Sequence, residues 1–305
     1  MGMSTALREV RRVLDDAGLR GSFLVRDLDS GDELGVDAEA EWPIASLVKV
    51  PLAVVTLLRI ARGELDPAAR IEVEPGRIAT AGPMGLGKFR HPAGIALDDL
   101  LYLSTSISDG IAADALFALT PPAAVTAELR RLGHDGIAVR HLMGELTRTP
   151  VERFEPAQAH LAHTLAIEAG TAGHGHPVPQ LDISWANAGS ARAFVDLMRD
   201  LWRPSAIHPD AAARVRELMA DNVVRQRLAP DFSSDAARWS SKTGTLLNLR
   251  HEVGVVEHAD GQVLAVAALT ESRVPAANQP GAEASMAKAA RILHDELRTG
   301  PWNRL

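Results

Sequence analysis

At 305 residues and 46% apolar content, the chain can bury one large core or two smaller lobes. Its formal charge of −7, with no basic run interleaved with aromatics, argues against a nucleic-acid backbone or an anionic membrane as partner. Cysteine is absent, which rules out disulfides and thiolate metal sites.

Residues 1–12 hold no apolar core of signal-peptide length, and 4–17 read as an amphipathic helix with Leu7, Val10 and Leu14 on one face. A cytoplasmic location is therefore expected, unless a leader has been trimmed. The longest apolar stretch, 50–58, is too short to span a bilayer. Residues 21–28 alternate like a strand, 29–32 make a turn, and 33–36 return as its hairpin partner. From 46 to 62 the pattern is helical and apolar nearly all round, as in a central buried helix.

Helical patterns then dominate, clearest at 97–103, 110–119, 122–132, 155–168, 190–201 and 209–219. Glycine-rich stretches at 82–87 and 171–177 read as loops. Strands return at 237–243, 252–257 and 263–270, and 282–297 closes as a helix. Because the β elements lie at the two ends of the sequence, those ends must meet in one sheet. The expected class is α+β: an antiparallel sheet flanked by N- and C-terminal helices, with an inserted all-helical lobe. Residues 1–48 and 225–305 would form the sheet lobe and 49–224 the helical lobe, with the active site in the cleft between them.

Three short motifs carry the chemistry: Ser46-Leu-Val-Lys49, Ser108-Asp109-Gly110 and Lys242-Thr243-Gly244. Each is weak singly. Ser-x-x-Lys arises about once by chance in a chain of this length, and Ser285 to Lys288 is a second copy. In this order, each on a plausible element, the three are the parts of active-site-serine β-lactamases and penicillin-binding proteins. A free serine hydroxyl needs a base within reach, and Lys49 lies one turn beyond Ser46. For Lys49 to accept a proton its amine must be partly neutral, which burial and a second cation such as Lys242 favour. The helix start at Ser46 also points a backbone N–H toward a developing oxyanion. The plainer readings are N-caps for Ser46 and Ser108, and an exposed strand-end lysine for Lys242.

On these motifs the chain resembles the class A β-lactamase and penicillin-recognising serine enzyme superfamily, especially its unexported serine hydrolase branch, over most of its length. The run 45–52 followed by Gly63-Glu64-Leu65-Asp66 is similar to that family's nucleophile helix and exit turn, and 108–116 to its Ser-Asp-Asn loop and following helix. The resemblance implies that Thr245 supplies a second oxyanion N–H and that Lys242 and Thr243 hold a substrate carboxylate or polar end. It also implies that Ser108 relays a proton between Lys49, Lys242 and the leaving group.

The pattern departs from the family at three places. Gly110 replaces an asparagine that would bind an acylamino carbonyl, so acylamino β-lactams should be poorly held. The run Arg153-Phe154-Glu155-Pro156 resembles the family's active-site loop and makes Glu155 the candidate deacylating carboxylate. It lies further beyond Ser108 than the resemblance places it, and Ala159 stands where an asparagine is expected. The rival reading is a plain helix start, where acid and proline are both favoured. Arg250 follows the Lys-Thr-Gly strand as a candidate carboxylate clamp, or as a partner of Glu252 or another acid.

The histidines show no metal-ligand spacing, so neither metal nor cofactor is expected. The expected function is a monomeric serine hydrolase working through a Ser46 acyl-enzyme on a small-molecule acyl substrate. Esters or related compounds are its expected substrates, with at most weak β-lactam hydrolysis. The alternatives are an acyltransferase or ring-forming enzyme, a penicillin-binding protein that acylates and stalls, a glutaminase-like amidohydrolase, and a degenerate binding module.

Overall fold

The computed structural model describes residues 3–74, 84–149, 155–158, 160–169, 174–276 and 278–299. Its main sheet has five antiparallel strands in the order β2-β1-β10-β9-β8. These are β1 (Leu19–Asp27), β2 (Glu33–Val36), β8 (Ala237–Leu246), β9 (Leu249–His258) and β10 (Val263–Ser272). The first and last parts of the chain thus pair directly, with Phe23 opposite Ala268. This α+β arrangement is the one expected from the order of β and helical patterns. One face of the sheet is covered by α1 (Met3–Asp16), the short α10 (Ala229–Phe232) and α11 (Pro280–Thr299), which pack on Phe23, Trp239 and Val266.

The other face buries the larger core. At its centre is α2 (Lys49–Ala61), in which every residue from Lys49 to Leu58 is buried. A helix apolar on all sides is stable only inside a protein. Each Val or Leu it carries contributes roughly 1.5–3 kcal/mol on leaving water. Around it lie α3 (Leu97–Thr105), α4 (Gly110–Leu119), α5 (Pro122–Arg131), α6 (Met143–Leu146), α7 (His160–Glu168), α8 (Ala191–Trp202) and α9 (Pro209–Ala220). Among the described residues, no single helix is long and apolar enough to cross a membrane.

Two small sheets escape the sequence patterns. In one, β3 (Glu41–Pro43) pairs with β7 (Ala188–Ser190), and β7 with β6 (Ile137–Ala138). In the other, β4 (Arg70–Val73) pairs with β5 (Ala93–Ala96). Strands of two to four residues show too little alternation to be read alone, and unlike the four-residue β2 these have no hairpin turn to mark them. The helix read over 155–168 is divided: residues 156–158 form a 3-10 turn, and α7 begins at His160. The second Ser-x-x-Lys lies mid-way along α11 with Lys288 exposed, so its amine meets solvent rather than a cleft.

Candidate active site

The chain reaches Ser46 through a sharp reversal. Ile44 donates its N–H to Asn187 O at 2.9 Å, Ala45 adopts φ +46°, and residues Ala45–Val48 wind as a 3-10 turn before α2 begins at Lys49. A left-handed alanine costs about 1–2 kcal/mol, a strain that surrounding packing must offset. The expected helix from 46 therefore starts three residues later. The difference matters, because residues three apart across a 3-10 turn share one side, yet among the described residues the Lys49 amine bonds Ser108 and not Ser46. Ser46 caps nothing: neither the 3-10 turn nor α2 has a side-chain N-cap, and its half-buried hydroxyl has no partner among the described residues.

Lys49 is 1% exposed and donates to Ser108 O at 2.5 Å and to Ser108 Oγ at 3.3 Å. From the opposite wall Lys242, wholly buried on β8, donates to the same Oγ at 2.9 Å and to Thr243 O at 2.9 Å. Two amines thus converge on one hydroxyl. Burial pushes the Lys49 amine down to about 7, against the pull of Asp109 and Asp114. Burial, reinforced by Lys49 and Arg227, holds Lys242 well below the ordinary lysine range.

Ser108 itself has φ +64°. The helix cap expected there falls one residue later. Asp109 Oδ1 accepts from Ile111 N at 2.8 Å and Ala112 N at 3.2 Å, while Oδ2 accepts from Leu86 N at 2.5 Å. Gly110 is the first residue of α4 and presents no side chain. Further along α4, Asp114 accepts the N–H groups of Met143 at 2.6 Å and Gly144 at 2.8 Å, fastening α6 to it. Burial raises the Asp114 pKa against those two bonds.

Gly244 explains how β8 can lie against the serine turn. A Cβ there would stand 2.8 Å from Ile44 O and 3.1 Å from Leu47 Cγ, so only glycine permits this approach. Three residues hold this edge in place; of them the sequence named only Glu252, as an alternative partner of Arg250. Arg227, 2% exposed, donates to Gly244 O at 2.9 Å, His251 O at 2.8 Å and Thr245 Oγ1 at 2.6 Å, and pairs with Glu283 at 2.9 Å. His251 bridges its ring Nε2 to Pro43 O at 2.9 Å and accepts Thr270 N–H on Nδ1 at 3.1 Å, which fixes a neutral Nε2–H tautomer. Burial drives its pKa down to about 3. Glu252 accepts from Trp239, Ser241 and Leu228 beneath β8, and burial raises its pKa. No local sequence pattern marks these residues, because their partners lie on other strands and helices.

The remaining candidates are placed differently. Thr245 is exposed at the strand edge, and Thr243 is buried with its carbonyl on Lys242. Arg250 is 5% exposed and donates to Leu247 O at 2.6 Å and Leu249 O at 2.7 Å, which ties the β8–β9 turn. Burial lowers its pKa to about 10. Glu155 opens the 3-10 turn before α7; its side chain is exposed and has no partner among the described residues. Arg153, Phe154 and Ala159 lie outside the described residues. Among those described, no group of three or more His, Asp or Glu side chains is set to hold a metal.

The model of the Beta-lactamase enzyme family matches residues 5–297. The chain belongs to the β-lactamase enzyme family. A relative from Streptomyces cacaoi, named β-lactamase regulatory protein BlaB, is 63% identical over 98% of this chain and 99% of its own. Among solved structures, a β-lactamase from Chitinophaga pinensis superposes with a TM-score of 0.77 at 19% identity, covering 96% of this chain and 99% of that one. An ancestral class A β-lactamase gives a TM-score of 0.73 at 20% identity, covering 95% of this chain and 99% of that one. This family member therefore has the class A fold and is a β-lactamase-family serine hydrolase.

Proposed function

We propose that Ser46 of this family member attacks esters and related acyl compounds, forms an acyl-enzyme and releases it slowly, with at most weak β-lactam hydrolysis. The observation that carries this reading is the hydroxyl of Ser108 held between two buried amines, one of them poised near pH 7. Neutral Lys49 takes the Ser46 proton as Oγ adds to the acyl carbon. The N–H groups of Ser46 and Thr245 receive the oxyanion. As the bond to the leaving group breaks, Ser108 gives that group its proton and is reprotonated from the adjoining amines. The product is an ester on Ser46 Oγ.

Deacylation then needs a water and a second base. The carboxylates near Lys49, Asp109 and Asp114, are both engaged by backbone N–H groups. Glu155 is exposed to solvent. These placements support a long-lived acyl-enzyme, and Gly110 supports poor retention of acylamino β-lactams. Stopped-flow kinetics with p-nitrophenyl acetate test the reading. One equivalent of nitrophenolate should appear in a burst, followed by a rate at least about tenfold slower. An identical trace from Ser46→Ala would sink it.

A second reading is favoured by the name of the Streptomyces cacaoi relative: the acylated state is a signal that sets β-lactamase output. A host lacking this gene, complemented with wild type or Ser46→Ala, separates the two. Equal β-lactamase induction by penicillin in both strains counts against the signalling role and leaves the acyl-enzyme chemistry standing.

A further inference from the structure

Two segments that flank the loop carrying Ser108 bear exposed apolar side chains. Two segments are hydrogen-bonded to the loop that carries Ser108: Leu86 N–H to Asp109 Oδ2 at 2.5 Å, and Val223 N–H to Ser106 O at 3.1 Å. The first approaches so closely that a Cβ on Gly85, at φ +70°, would lie 2.5 Å from Asp109 Oδ2. Met84 and Phe89 bracket that 3-10 turn (Gly85–Lys88), and Val223 lies on the second segment. These three are 44%, 49% and 49% exposed, among the most exposed large hydrophobics of the described residues. Asn222, beside Val223, donates to Ser241 Oγ at 3.1 Å, which keeps that segment against β8. Gly110, at the start of α4 beside Asp109, contributes no side chain.

Exposed apolar surface on segments tied to the Ser108 loop has an evident use in covering an apolar group of the substrate. We infer that Met84, Phe89 and Val223 form an acyl-chain rim, and that the substrates of Ser46 are esters or thioesters of apolar acyl groups, linear or aromatic, rather than polar acylamino compounds. The inference rests on the acyl-enzyme reading above and adds the substrate class. The missing side chain at Gly110 removes a polar donor. The chain of the acyl group would leave the reacting carbon over Gly110 and lie against Phe89 and Met84 on one side and Val223 on the other.

The test is a chain-length series of p-nitrophenyl esters from acetate to decanoate. In wild type, kcat/KM for acylation should rise roughly two- to fourfold per methylene until the chain outruns the rim. Phe89→Ser and Met84→Ser should each cut the octanoate-to-acetate ratio by about fivefold or more. Val274→Ser, a comparably exposed position on the β10–α11 connection, should keep the wild-type ratio. A Ser46-dependent reaction with a flat series overturns the rim and leaves the acyl-enzyme standing. If no ester reacts through Ser46, the acyl-enzyme reading fails, and calorimetric binding of octanoate against acetate to Ser46→Ala decides the rim. Tighter octanoate binding that Phe89→Ser removes supports it; equal binding overturns it.

Discussion

Lys49 is the residue on which the chemistry turns, because the burial that makes it a base also destabilises the fold. Its amine titrates at about 7 in the folded protein against 10.5 as the ordinary value. Acylation should therefore rise with pH as the neutral form grows in, falling about tenfold per unit below pH 7 and levelling above it. A pH profile of the burst rate checks this, and a flat profile from pH 5 to 8 would contradict it. The same shift has a stability consequence. Between about pH 7 and 10.5 the unfolded chain binds the proton that the folded chain has lost, so stability rises with pH across that window. The cost is fully present below pH 7. Lys49→Met should thus abolish acylation while stabilising the protein at pH 6 by roughly 1–3 kcal/mol in urea unfolding. Equal or lower stability would mean that the buried amine is better compensated than its surroundings indicate. The convergence of Lys49, Ser108 and Lys242 was legible because spaced motifs of reactive residue types are rare in combination. The conformations that aim them were not. Left-handed φ values at Ala45 and Ser108 belong to residues with no special preference for them, and tertiary packing imposes them.

At the scale of elements, the site depends on how closely β8 lies against the serine turn. Gly244 allows that approach, while Arg227 and His251 hold the strand and the turn from behind. Gly244→Ala places a methyl against Ile44 O, which is backbone and cannot swing aside, so β8 must shift. Acylation should drop by about two orders of magnitude, the usual cost of misplacing an oxyanion donor, with far-UV circular dichroism unchanged. A rate within threefold of wild type would show that the strand is not held so tightly. Arg227→Met leaves Glu283 and two strand carbonyls without their buried partner and should destabilise the protein by about 3–5 kcal/mol, read from the urea midpoint. In the sequence, α4, β2 and the last three strands were plain from period and turn residues. The three-residue β3 was not, because its pairing partner β7 is remote in the chain.

For the whole molecule, the first and last parts of the chain close a single sheet, and one buried and one half-buried histidine keep that sheet sensitive to acid. His251 titrates at about 3 and His258 at about 4, both lowered chiefly by burial. The unfolded chain takes up these protons first, so stability should fall as pH drops from about 6.5 toward 3–4 and be fully present above 6.5. His251→Gln should flatten part of that slope in urea unfolding followed at several pH values; an unchanged slope would remove His251 from the account. The topology could be read from the order of β and helical patterns, since only end-to-end pairing accommodates it. The supports beneath β8 could not, since Trp239, Ser241 and Glu252 meet only once the sheet has formed. The most direct test of the central claim is the intact mass of the protein after brief exposure to an activated ester. Wild type should gain one acyl group and Ser46→Ala none; equal labelling of the two proteins, or none of either, would contradict it.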